Sequence, residues 1–155
     1  MNEQEKQATI TALRLLTATP KSKARLKQKL KEKGYPSQVI EGTVSRLEQD
    51  GILNDKNFAF SVFQTFSQYR PSGRRRIAFE MKKRGIGEGL ILEILEKFDP
   101  ESEHHAALQL AETKLNRWQK LEPVKRRKKI YDFLLRRGFD FTLAREIVDR
   151  IEKRQ

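Results

Sequence analysis

Cationic side chains dominate the groups able to do chemistry in this sequence, and they come in three runs. Residues 21–33 hold seven Lys or Arg against one acid, Glu32; residues 70–84 hold seven against Glu80; residues 114–137 hold ten against Glu122 and Asp132. A guanidinium fork pairs with phosphate and carboxylate alike, so the chemistry on offer is recognition of a polyanion. The consecutive Arg74, Arg75 and Arg76 are the leading anchor, with Arg70, Lys82, Lys83 and Arg84 beside them. Lys125, Arg126, Arg127, Lys128, Lys129, Arg136 and Arg137 form a second set, and Lys27 and Lys31 stand for the first run.

Bond-making chemistry finds little support. Cysteine is absent, which removes a disulfide framework, a thiolate metal site and a thiol nucleophile. His104 and His105 diverge by about 100° on a helix and cannot share one metal; Glu101, four residues before His105, is its candidate surface partner. Gly85, Gly87 and Gly89 follow a helix and lack the lysine and hydroxyl that close a phosphate loop. Ser61 and Ser67 have no neighbouring histidine, and the acids show no paired-carboxylate pattern. The chain is expected to be a non-enzyme with no cofactor and no metal.

The elements that must position these cations repeat. Aligned on Gly34, Gly85 and Gly138, the segments LKQKLKEKG, IAFEMKKRG and IYDFLLRRG match position by position, with Leu26, Ile77 and Ile130 coincident and Leu30, Met81 and Leu134 coincident. A period of about fifty residues marks stacked supersecondary units. Each unit reads as three helices. In the first, Ile10, Leu13 and Leu16 with Ala8 and Ala12 form a stripe, Ser22 caps the second helix, Gly34 ends it, and Ser37 caps the third. Asn54 or Asp55 opens the next unit, where Phe58, Val62 and Phe66 share a face and Phe63 and Phe79 also fall at core spacing. The third unit carries Ala107, Leu108, Ala111 and Leu115, and at Trp118 core packing is favoured over base stacking.

The expected fold is therefore an all-α, elongated tandem array of three three-helix repeats, spanning residues 1–54, 55–100 and 101–155. The second helix of each is basic, which makes a discontinuous cationic track suited to a long polyanion. A formal charge of +12 and 35% charged residues, against about 25% in ordinary domains, support this. The opening MNEQEKQATITALRLL lacks the pattern of a signal peptide and no run of eighteen apolar residues occurs, so a cytoplasmic chain with no membrane partner is expected.

LRLLTATPKSKARLKQKLKEKGYPSQVIEGTVSRLEQDGILNDKNFA in the first unit, YRPSGRRRIAFEMKKRGI in the second and RRKKIYDFLLRRGFDFTLAREIVD in the third resemble the RecX family, bacterial regulators of the RecA recombinase. The similarity covers nearly the whole chain. It departs from the family at Lys23 and Arg25, where members often carry an acid. The resemblance implies tandem three-helix units, a site along the groove of the RecA nucleoprotein filament, and modulation, usually inhibition, of ATPase and strand exchange. The partners expected are the RecA filament and, weakly and without sequence preference, single- and double-stranded DNA, with the chain acting as a monomer. The alternative is a sequence-nonspecific DNA-binding regulator built from three-helix modules.

Overall fold

A computed structural model describes residues 2–153. The helices are α1 Glu3–Ala18, α2 Lys23–Glu32, α3 Ser37–Gln49, α4 Asp55–Gln64, α5 Arg74–Lys83, α6 Glu88–Glu96, α7 Pro100–Arg117, α8 Pro123–Arg136 and α9 Phe141–Lys153, with a π-helical turn over Thr65–Tyr69 after α4. No strand occurs among the described residues. Helices pack chiefly in threes, α1 to α3, α4 to α6 and α7 to α9, each around its own core. The accessible surface is 9988 Å², against about 8,100 Å² expected for a compact monomer of this mass. The excess is what a row of small cores produces.

Local chemistry sets most of the boundaries. Asn2 and Glu5 form a reciprocal capping box on α1, and the Asn54 side chain accepts from the Asn57 amide at the start of α4. The three basic helices end alike. Gly34, Gly85 and Gly138 take φ of 91°, 82° and 91°, and the next residue's amide reaches back to a carbonyl of the last turn: Tyr35 to Leu30, Ile86 to Met81, Phe139 to Leu134. This left-handed glycine closure satisfies carbonyls the helix leaves open.

Three expectations are corrected here. Ser37 is the first helical residue of α3, and Pro36 occupies the cap position without a side-chain bond. In α1 the buried residues are Ala8 and Ala12, whereas Ile10 and Leu13 are 46% and 38% exposed, because small residues let α1 lie close on its neighbours. Phe79 is 58% exposed and lies outside the core.

The junctions between units repeat as faithfully as the units do. The Ser22 hydroxyl, which caps α2, donates to the Arg84 carbonyl at 2.7 Å, and Arg25 Nη2 donates to the Lys83 carbonyl at 2.8 Å. At the next junction the Gly73 amide donates to the Arg137 carbonyl at 2.8 Å and the Arg75 amide to the Gly138 carbonyl at 3.1 Å. The N-terminus of α2 thus meets the C-terminus of α5, and the N-terminus of α5 meets that of α8. At the first junction a hydroxyl and a guanidinium, and at the second two backbone amides, donate to carbonyls that close a helix, bringing a positive helix end to a negative one. The basic helices are thus joined end to end in the order α8, α5, α2.

Contact is too close for side chains. A Cβ on Gly73 would lie 2.3 Å from the Gly138 carbonyl oxygen, although its φ of −80° suits any residue. Gly73→Ala is expected to lower stability by about 2 kcal/mol or more, because backbone must move to admit it. Gly89→Ala, with nothing within 4 Å of the added methyl inside α6, is expected to raise stability by about 0.5–1 kcal/mol. Thermal unfolding of both variants checks this pair; a Gly73→Ala protein as stable as the parent contradicts the junction.

Candidate nucleic-acid interface

Of the cations singled out by sequence, a group is consumed inside the protein. Arg74 is the clearest case. Its Nε lies 3.1 Å from Glu103 Oε1, its Nη1 donates to the Leu95 carbonyl and its Nη2 to the Phe98 carbonyl, each at 3.0 Å. The Arg74 amide adds a 2.7 Å bond to the other Glu103 oxygen, and the guanidinium sits 5.3 Å over the Phe98 ring. The whole fork is spent on closing the end of α6 and tying α7 to α5. Arg74 is therefore a strut, and the arginine triplet does not act as one exposed unit.

Glu80, 3% exposed, is gripped by Arg76 and Arg84, each four residues away. Burial pushes its carboxyl up, but the Arg84 hydrogen bond and the charges of Arg84, Arg76 and Lys83 prevail and hold it below the usual carboxylate value. Arg84 also stacks over Phe66 at 5.4 Å. Arg127 bridges Asp149 and Glu152, fastening α8 to α9, and its pKa is raised chiefly by the Asp149 bond. Lys27 pairs with Glu41 at 3.1 Å, Lys128 with Asp132 at 3.5 Å, and Arg126 Nη1 donates to the Gln119 carbonyl at 3.3 Å. His104, not His105, takes the acidic neighbour, with Glu146 at 3.5 Å. Among the described residues no group of acids and histidines could hold a metal ion, and no helix is long and apolar enough to cross a membrane.

The remaining cations stay on offer. Lys31, Arg70, Arg75, Lys82, Lys83, Lys125 and Arg136 are exposed and make no side-chain hydrogen bond or ion pair among the described residues. Lys21, Arg25, Lys29, Lys83 and Arg84 line an acid-free groove of about 620 Å³ between the first two units, floored by Phe58, Val62 and Phe66.

The densest cluster lies at the junction of the second and third units. Lys114 Nζ sits 4.7 Å from the Phe133 ring centre and 5.4 Å from that of Trp118, while Lys129 Nζ lies 4.6 Å over Trp118. Trp118 and Phe133 meet edge to face at 6.4 Å. Burial lowers the Lys114 pKa, and the charges of Arg117, Arg137, Arg136 and Lys129 lower it further. Arg137, its Nη2 donating to the Pro71 carbonyl, is likewise lowered by burial and then by Arg76 and Arg70. Nothing acidic enters either set of causes, so cations from two units press on one another across the junction. Such a field is unfavourable by itself and falls when a polyanion enters.

Lys114, Arg117 and Phe133 belong to this cluster and were not among the sequence candidates. The signal was present: Lys114 and Trp118, and Lys129 and Phe133, are each spaced i,i+4 on facing helices. Trp118 is half-buried beneath lysines, part core and part cationic surface.

Fold and face together define a class: an all-helical protein of three-helix units whose basic second helices are joined end to end and carry exposed cations beside aromatic rings. The family models for the first and third three-helix domains of RecX match residues 8–47 and 101–148. A protein called regulatory protein RecX from Pelodictyon phaeoclathratiforme is 37% identical over 84% of this chain and 79% of its own length. One of the same name from Chlorobium phaeobacteroides is 35% identical over 95% of both chains. The crystal structure of RecX from Lactobacillus salivarius superposes with a TM-score of 0.87 over 98% of this chain and 99% of its own, at 21% identity, a likeness of fold. The chain belongs to the RecX family.

The two fates of neighbouring arginines are separable. Arg74→Ala is expected to cost more than about 2 kcal/mol, since it removes the charge that balances the buried Glu103 carboxylate, leaving it only the backbone amide, and unpairs two carbonyls, whereas Arg75→Ala stays within about 0.5 kcal/mol. Urea unfolding of the two variants checks this. Equal stabilities contradict the assignment of Arg74 as a strut.

Proposed function

We propose that this chain is a regulator that lies on the RecA nucleoprotein filament and lowers its ATPase and strand-exchange activity. The observation that carries the reading is the cluster of Lys114, Lys129 and Arg137 on the Trp118 and Phe133 rings, with the charges of Arg117 and Arg136 reaching Lys114, beside the junction that joins α8 to α5. The family's printed name, regulatory protein, supports the regulatory part of the reading. On this reading units 1–54, 55–100 and 101–155 are modules that each present one basic helix to a periodic target. A monomer in the bacterial cytoplasm then acts by binding, without catalytic chemistry of its own.

Contacts to DNA are weak and sequence-independent in this account. Base readout in a major groove wants Arg, Asn or Gln projecting from one inserted helix, and the exposed side of α6 offers Glu88, Leu92, Glu93 and Glu96. Phosphate neutralisation instead makes log affinity fall with log salt by about 0.7 per contact on single strands and about 0.9 on duplex.

The test is ATP hydrolysis by a cognate RecA filament on single-stranded DNA, with this protein far below one molecule per recombinase. Wild type is expected to suppress hydrolysis. A Lys129→Glu, Arg136→Glu variant, altered at two exposed positions two turns apart on the same face of α8, is expected to lose at least tenfold in potency at unchanged helical content. Full inhibition by that variant overturns the assignment of the cluster. Salt-dependent binding of naked duplex with no effect of wild type on hydrolysis replaces the proposal with a plain DNA-binding regulator.

A further inference from the structure

The outer face of α5 carries a second aromatic station. At 100° per residue, Ile77 and Met81, both at 0% exposure, mark the inward side of this helix, and Phe79 falls diametrically opposite their midpoint. Its ring is 58% exposed. Arg75 and Lys83 at i±4 and Arg76 and Lys82 at i±3 surround it. The only acid of the helix, Glu80, is turned inward between Arg76 and Arg84. One aromatic ring thus stands at the centre of a solvent-facing arc of α5 whose charged members are all cations.

The internal repeat supplies its own control. Counted back six residues from the turn glycine, the positions equivalent to Phe79 are Gln28 in α2 and Asp132 in α8. Both follow the ordinary rule that the outermost position of an amphipathic helix is polar. The middle unit breaks that rule while keeping the shared buried positions Ile77 and Met81 in register with Leu26, Leu30, Ile130 and Leu134. Packing therefore does not call for an aromatic at this site.

We propose that Phe79 is a stacking platform for an unpaired base of a single-stranded nucleic acid, with Arg75 on one side and Lys82 and Lys83 on the other meeting the phosphates that precede and follow that base. The proposal rests on the reading of the chain as a ligand of a nucleoprotein filament and names the strand's own contact. A strand alternates an apolar, polarisable face with a negative charge, and α5 presents the complement of that alternation within two turns. Duplex DNA hides its base faces and cannot use the ring. Aromatic platforms in cationic grooves bind single strands in this manner without sequence preference. The station also lies on the track already described, since the Arg75 amide sits on the Gly138 turn and the charges of Arg76 and Arg70 reach Arg137. A strand leaving the Trp118 and Phe133 cluster would meet Phe79 next.

The experiment is fluorescence anisotropy of labelled oligo(dT), of the same strand carrying abasic sites, and of a duplex, titrated with the full chain and with Phe79→Ala, Phe79→Leu and Phe79→Trp, each verified by circular dichroism. Loss of one stacked base weakens binding by roughly five- to a hundredfold. Phe79→Ala and Phe79→Leu are expected to lose that much on oligo(dT), Phe79→Trp to retain wild-type affinity, and all variants to bind duplex and abasic strand alike. Unchanged oligo(dT) binding by Phe79→Leu overturns the proposal, as does an equal loss on duplex or an absence of strand binding by wild type. If Phe79→Ala binds oligo(dT) normally yet loses inhibition of RecA hydrolysis, Phe79 touches protein: the stacking proposal falls and the filament reading stands.

Discussion

The contact on which the rest of the structure depends is the seating of one basic helix's N-terminus on the glycine turn that ends the next. Ser22 on Arg84 and Gly73 on Arg137 are two versions of it. Both join groups that helices leave open, so the junction gains hydrogen bonds without breaking any inside a helix. Both need room that only a missing or very small side chain provides, as the near-contact of Gly73 with Gly138 and of Gly85 with Ser22 Oγ shows. The consequence is long-range: α8, α5 and α2 are joined end to end, the start of one on the close of the next. Three unconnected patches become a track.

Alignment brings like charges together, and the molecule resolves this by dividing its arginines. Arg74, Arg84 and Arg127 are neutralised by Glu103, Glu80 and by Asp149 with Glu152, and they stitch helices to one another. Arg75, Lys82 and Arg136 keep their charge for the outside. Lys114 and Arg137 occupy a middle ground: burial lowers both, neighbouring cations lower them further, and they rest on aromatic rings and, for Arg137, the Pro71 carbonyl. Stability and binding thus compete for the same residue types. On the proposed reading, such a surface would have its mutual repulsion relieved by an incoming polyanion.

Much of this was legible in the sequence because it is local or repeated. The glycine register, the Ser22 cap, the segregation of Lys and Arg onto second helices and the resemblance to RecX all rest on short spacings. What was not legible depends on residues far apart in the chain. Arg74 and Glu103 are separated by 29 positions, and nothing in RRRIAFEMKK indicates that the first arginine turns inward while the second stays out. Phe79 falls at core spacing when counted with other aromatics, yet the Ile77 and Met81 face decides its direction. The i,i+4 spacing of Lys114 and Trp118 is visible in the sequence, but the Phe133 ring and the Lys129 charge that complete the cluster come from another helix. Periodicity fixes which way a helix faces, but not which of its charges find partners.

Hydrogen exchange of single amides addresses the junction itself. The first amides of a helix ordinarily exchange quickly, having no partner within it. In α8, whose N-terminus has no side-chain cap, the amides of Val124 and Lys125 serve as the internal reference. The account predicts that Gly73 and Arg75 exchange far more slowly than these, at rates close to those of the buried Ile77 and Met81. Exchange of Gly73 and Arg75 as fast as the opening of α8 would contradict it, since the units would then not be held end to end and no continuous track would exist.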